Sequence, residues 1–426
     1  MTSYFIDPKA PLLFGDGRPF GATECAETLP FPLPSTVAGA MRTAYAEQRG
    51  MAFAGSRETL LSLPIAGPLL ASRSLANPQG DLEVYLPKPA DAVYFKIQDQ
   101  QTEDHKTQDQ KPQNPLLARR LRPGEITVAG AGTDLPHNLL PVFLSGDNDK
   151  SKPGKGPTWW RLQQAAQWLA DDRQNSLTAE DPKDLGVDAL PTERRTHVAL
   201  DPDTLTNRDG QLFQTAGLDF GPRRQSTGPR RQFCGWQSST YGLLVDTPGN
   251  GAKKFLSTSP RMRTVGGERR PAWIEPAGSA WPGVPEVLSQ ALAQAQAKPA
   301  STGFGIRLML VTPALFERGW LPGWLDESLQ GSPPGHARLK LQLCAASLER
   351  WQPFSGWDLQ SRNRHSAGAA RAIRRMVPSG SLYWFKVLEG DADTIAKLWL
   401  SPVSDQEQDR RDGFGLAAPG VWSTCP

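Results

Sequence analysis

From Thr302 onward the hydrophobic pattern changes period in a fixed order, and no other feature constrains the fold as tightly. Residues 304–311 read as a strand and 315–325 as a short helix. Residues 338–348 read as a strand in which Leu339, Leu341 and Leu343 alternate. A further strand follows at 381–388. Asp391 then caps a helix with Ile395, Leu398 and Trp399 on one face, and 413–422 supplies a glycine-rich loop and last strand. The order β-α-β-β-α-β predicts an α+β, ferredoxin-like unit.

The first 300 residues read as a second, more interrupted copy. Residues 3–6 form an opening strand, followed by the loop APLLFGDGRPFG and the Pro-rich LPFPLPSTV. Pro34 before Ser35 or Thr36 as N-cap predicts a helix there. Val37, Met41, Ala44 and Tyr45 recur at helical spacing, and Gly50 is its stop. Strand-like runs follow at 65–70 and 83–97. The tract QDQQTEDHKTQDQKPQN (98–114) has almost nothing to bury and reads as a mobile insertion. Residues 145–157 read as a second flexible loop, and 171–184 as another polar tract. Between them WWRLQQAAQWLA can form a helix with Trp160 and Trp168 eight apart. The expected organisation is a domain over 1–300, with insertions at about 98–114, 145–184 and 221–263, and a second over 301–426.

Chemistry is sparse. The sequence has no GxxxxGK[ST], HExxH or GxSxG, and no GxGxxG following a strand, so no nucleotide cofactor is expected. The four cysteines lie far apart without a CxxC pair, which argues against a zinc site or a disulfide framework. None of the five histidines has a second titratable group at a plausible spacing, so no catalytic residue is expected and the chain reads as a non-enzyme. No apolar run approaches the ~18 residues of a membrane span. Asp7 and Lys9 stand where a signal peptide would be apolar, so a cytoplasmic protein with no membrane partner is expected. TGFGIRL (302–308) keeps only the Gly-Phe-Gly centre of the RRM stacking motif and reads as a turn entering a core strand.

Charge is more informative. Formal net charge is only +3, yet Arg194 to Arg270 holds eleven arginines and two lysines against six acids, a net +7 that leaves −4 for the remainder. Residues 361–375 carry five arginines and no acid, and GPRRQ occurs twice between 221 and 232. A surplus weighted to arginine points to a polyanion and to phosphate contacts.

Five segments taken in order resemble one family: PLLFGDGRPF (11–20), LPSTVAGAMRTAY (33–45), HVALDPDTLTNRDGQLFQTAGLDF (197–220), TVGGERRPA (264–272) and VPSGSLYWF (377–385). The chain is identified by them as similar to the third-subunit family of the Cmr complex, RAMP-type proteins of type III-B CRISPR interference. Gly15 departs from the family, which has an aromatic and then an arginine there. The resemblance implies two RRM-like, ferredoxin-like RAMP domains around a cleft, with long loop insertions and a β-hairpin thumb. It implies a non-catalytic subunit that caps the 5′ handle of the crRNA. The implied protein partners are the large polymerase- or cyclase-like subunit and the RAMP subunit of the backbone, with target RNA met indirectly. A RAMP-type endoribonuclease processing precursor guide RNA, and an RNA-binding module outside CRISPR, are the other readings.

The expected RNA-binding residues are Arg18, then Ser35, Thr36, Gly39 and Arg42 at the helix start, where free N–H groups can cradle phosphate. Gly266, Gly267, Arg269 and Arg270 form a second group. Glu268 can pair one arginine and leave the other for a bidentate phosphate contact, and Pro271 keeps Arg270 extended. Arg371, Arg374 and Arg375 form a third.

Overall fold

The computed structural model describes residues 3–15, 29–78, 80–96, 115–126, 132–136, 139–145, 153–201, 203–221, 224–227, 232–236, 239–249, 255–256, 260–297, 304–363 and 366–423. The tract 98–114, Arg18, and much of the GPRRQ repeat lie outside them. The strands used below are β1 (Ser3–Pro8), β2 (Ala66–Ser74), β3 (Glu83–Pro87), β4 (Trp159–Arg161), β5 (Thr192–Leu200), β6 (Asn207–Leu218) and β7 (Ser239–Asp246). They continue with β8 (Arg261–Val265), β9 (Arg270–Gly278), β10 (Gly305–Leu310), β11 (Lys340–Ser347), β12 (Leu382–Glu389) and β13 (Leu416–Trp422). The helices are α1 (Pro34–Gln48), α2 (Phe53–Ser62), α3 (Leu162–Ala170), α4 (Pro182–Leu185), α5 (Glu286–Gln296), α6 (Ala392–Ala396) and α7 (Glu407–Arg411).

The protein is a strand-rich α+β fold. Its main sheet runs β8-β9-β1-β7-β2-β3-β4, with Gly186–Val187 at the far edge. Both faces are covered at the centre of the sheet, so β1, β2 and β7 alternate between two cores rather than between core and water. Tyr4 and Ile6 face one side with Leu70, Leu243 and Val245, while Phe5 faces the other with Leu69, Ala71 and Leu244. A strand buried twice reads as a continuous apolar run, as Leu243-Leu244-Val245 does. Val37, Ala38, Met41 and Ala44 of α1 cover the Tyr4 side.

The second sheet is centred on β11-β12-β10-β13, antiparallel throughout. Its spatial order is second, third, first and fourth strand along the chain. In the main sheet β2-β7-β1-β9 repeats that order, again antiparallel. Phe5, Leu244 and Leu292 share one core with Ile306, Leu343 and Leu398, so hydrophobic packing runs across position 300.

Several expectations change. Residues 315–325 form turns and isolated bridges, not a helix. Pro322 cannot donate and Gly319 has φ +78°, while the Asp405 carboxylate takes the Gly323 N–H that a helix would use internally, together with the Glu317 N–H. The run 83–97 is two strands, broken at the prolines on either side of Lys88. Trp160 lies in β4 rather than in α3, and its ring meets Trp168 edge-on at 5.4 Å. The spans 145–184 and 221–263 are not simple insertions: β4 and α3 lie in the first, and β7, a central strand, in the second.

One buried charge network ties the chain's two halves. The Asp91 carboxylate accepts from Arg307 Nη1 (2.7 Å), Arg120 Nη1 (3.3 Å) and Trp168 Nε1 (2.8 Å). Arg307, in β10, also donates to the carbonyls of Val421 and Trp168. Burial pulls its guanidinium below the ordinary value, against the opposing pull of Asp91.

Candidate nucleic-acid interface

The five motif segments converge on two adjoining junctions. At the first, Leu12 bridges Leu218 at the root of the β5–β6 hairpin, and Leu13 bridges Gly267. The Gly267 N–H donates to the Leu13 carbonyl at 2.8 Å. Gly266 has φ +73°, and a Cβ there would stand 2.6 Å from the Leu13 oxygen, so only glycine lets the turn close on this segment. The described part of the first segment, 11–15, meets segments 197–220 and 264–272 here.

At the second junction a cleft of about 410 Å³ opens between the start of α1 and the loop after Met376, lined by Leu33, Pro34, Pro378 and Ser379. Segments 33–45 and 377–385 meet here. Gly380 (φ +85°) lets the second of these close on the Pro87–Lys88 backbone, since a Cβ would sit 2.5 Å from the Lys88 carbonyl. The two junctions touch: Leu29 lines the cleft and its N–H donates to the Phe14 carbonyl at 2.8 Å.

Aromatic and basic groups border the cleft. Phe31 packs against Trp159 with ring centroids 4.5 Å apart. Lys88 directs its ammonium to the Pro89 and Ala92 carbonyls (3.1 and 2.9 Å), and burial lowers its pKa although Glu349 and Asp91 oppose this. Arg350 lines the cleft, and Arg375 lies over the exposed Trp351 ring at 5.4 Å.

The expected site residues divide. Helix α1 begins at Pro34 with Leu33 as N-cap and no side-chain cap, so Ser35 and Thr36 lie inside its first turn rather than capping it. The positive end of α1 therefore borders the cleft without a side-chain acceptor. Gly39 is exposed. Arg42 is not available to phosphate: it is 5% exposed and donates to Asp412 (2.5 Å) and to the Leu63 and Arg411 carbonyls. Arg374 is likewise spent, in a bidentate pair with Asp409 (2.9 and 2.6 Å).

The turn at 266–270 has the expected geometry. Glu268 accepts from Arg270 at 2.5 Å, Arg270 opens β9 in extended geometry, and Arg269 (φ +49°) is exposed. Arg371 is exposed, its backbone N–H bound to the Gly356 carbonyl. Lys88, Trp159, Arg350 and Trp351 escaped the sequence reading. Only the WW doublet before α3 and the Trp after Arg350 signalled them.

Among the described residues no group of three or more His, Cys, Asp or Glu side chains could hold a metal ion. Nor is any described helix long and apolar enough to cross a membrane.

Fold and site together define a strand-rich α+β protein with two like-ordered sheets, a cleft and an arginine-bearing turn. Over residues 4–422 the chain matches the family of the CRISPR-associated protein (Cas_Cmr3). The chain belongs to that family, as the five segments led one to expect. It is also similar to a chain in the cryo-EM structure of the Type III-B Cmr-beta bound to cognate target RNA and AMPPnP, state 1. That similarity has 12% identity and a TM-score of 0.42, covering 90% of this chain and 86% of the other. The structure of the Type III-B Cmr-beta bound to cognate target RNA gives a TM-score of 0.41 at 12% identity, with the same coverage. No curated protein matches.

Proposed function

We propose that this protein is a non-catalytic crRNA-binding subunit of a type III-B CRISPR effector complex. In this reading it holds the 5′ handle of the guide RNA and bridges the large cyclase-like subunit to the backbone. The observation that carries the reading is the convergence of five family segments on a cleft and an arginine turn in contact with each other. A handle of fixed sequence has to be held unpaired and splayed, which suits aromatic walls, close backbone approach and scattered guanidiniums. The repeated second-third-first-fourth strand order is that of ferredoxin-like sheets, and supports two RAMP domains whose crossovers are partly replaced by turns and strands. The β5–β6 hairpin is our assignment for the thumb. Its tip carries exposed Leu200 and Leu205.

Support for a non-catalytic role comes from the two described histidines. His197 is engaged with Thr215 and His336 with Ser401, so each described ring spends its Nε2 on a hydroxyl.

The test is equilibrium binding of guide RNA with and without its handle, across a salt series. Handle-bearing RNA should bind more tightly, and Arg269→Ala should flatten the log–log salt slope by about 0.7 per lost phosphate contact. Equal affinity for both RNAs would refute handle capping, and cleavage of precursor RNA by the purified chain would favour the endoribonuclease.

A further inference from the structure

A second pocket, of about 510 Å³, opens between α3, α5 and the end of β13. It belongs to the core on the Phe5 side of the main sheet, whereas α1 packs on the other side. Two partners could therefore occupy cleft and pocket at once.

The two helical walls present no charge to the pocket; its charge is confined to Arg120 and the 171–173 stretch at one side. Helix α3 carries no ionisable side chain, and α5 carries none after Glu286. Trp168 and the small Ala291 and Ala295 leave an apolar floor, which exposed Val287 extends along α5. Gln167, Gln174 and Gln294 line it, with side-chain amides that have no partner among the described residues. Each amide offers donors and an acceptor, the complement of a peptide group.

Charge argues against nucleic acid here. Arg120 is 2% exposed and committed to Asp91 and to backbone carbonyls. That leaves Arg173 beside the carboxylates of Asp171 and Asp172, so a phosphodiester would meet two acids and one guanidinium.

We infer that this pocket docks a polypeptide segment of a neighbouring protein subunit, uncharged and small-residued where it is buried, with a Lys or Arg alongside to meet Asp171. The inference rests on the reading that the chain is built into a ribonucleoprotein with other proteins.

The test places the photo-crosslinker p-benzoylphenylalanine at Gln294 in the complex assembled by co-expression with the proteins encoded beside this one. The expected product is a crosslink to one polypeptide, its peptide mapped by mass spectrometry. In a second variant, Ala291→Arg fills the pocket on a helical position. It should cut recovery of that polypeptide by about tenfold while leaving handle-RNA affinity within about twofold. A crosslink to RNA, or none in the assembled complex, would overturn the inference, as would undiminished recovery with Ala291→Arg. Failure of the unsubstituted chain to bind handle RNA would sink the RNA reading instead, a result separate from the crosslink.

Discussion

At the scale of single residues, two buried aspartates differ in how their oxygens are partnered. Asp91 has 0% exposure and sits between Arg120 and Arg307, with Trp168 donating to its second oxygen. Both of its oxygens are taken by donors, so the buried network closes on itself. Asp91→Asn would leave two guanidiniums facing one amide, and a broken buried pair costs about 3–5 kcal/mol. Urea unfolding should show that loss; an unchanged midpoint would refute it. Asp246 is also buried, yet its Oδ1 has no partner among the described residues. Burial pushes its pKa above the usual carboxylate value. The folded state therefore holds the proton more tightly than the unfolded one, and stability is lost as pH rises through the raised value. Asp246→Asn should raise Tm at pH 7, with the advantage shrinking as pH falls toward about 4, near the unperturbed pKa. An advantage that stays constant between those pH values would refute this account.

Elements show where the sequence was legible. Alternation and turn chemistry were local, so β10, β11, β12 and the Asp391-capped α6 are readable from neighbours alone; Asp391 does accept the Thr394 N–H at 2.7 Å. The arginine turn was readable for the same reason, since Glu268 and Arg270 are two residues apart. What escaped depends on distant partners. Residues 315–325 lose their helix to Asp405, roughly ninety positions away in sequence. Arg42 looked like a free guanidinium on a helix face, and only the fold brings Asp412 to it. The glycines of TVGG looked like phosphate cradles. In the fold Gly266 serves close packing on Leu13, a second demand for glycine that its neighbours in sequence do not show. Gly266→Ala should therefore destabilise the protein by about 1–2 kcal/mol from the left-handed backbone alone, and more from the clash. Thermal unfolding checks it, and a Tm equal to that of the parent would contradict the packing role.

Across the whole molecule, α7 is the piece that holds the cleft's surroundings in register. Asp409 grips Arg374, whose neighbour Arg375 pairs with Pro353 in the short ladder beside the cleft. Asp412 grips Arg42 on α1, whose first turn forms the opposite wall. Gly413 then accepts from Thr312 Oγ1 (2.7 Å), another cleft residue. Three positions within a span of five, at the end of α7 and just after it, thus reach both walls. If the cleft holds the RNA handle, this arrangement acts before binding, by sparing the RNA the cost of ordering the walls. Asp409→Asn is the gentler probe, because Arg374 is partly exposed and can be rehydrated. It should raise the dissociation constant for handle RNA while leaving the salt slope unchanged, since no phosphate contact is removed. Arg269→Ala should do the reverse in kind, lowering affinity together with the slope. Measured side by side on folded variants, the pair separates wall positioning from phosphate contact. A flattened slope in Asp409→Asn would mean that Arg374 reaches the RNA itself, and that α7 is no clamp.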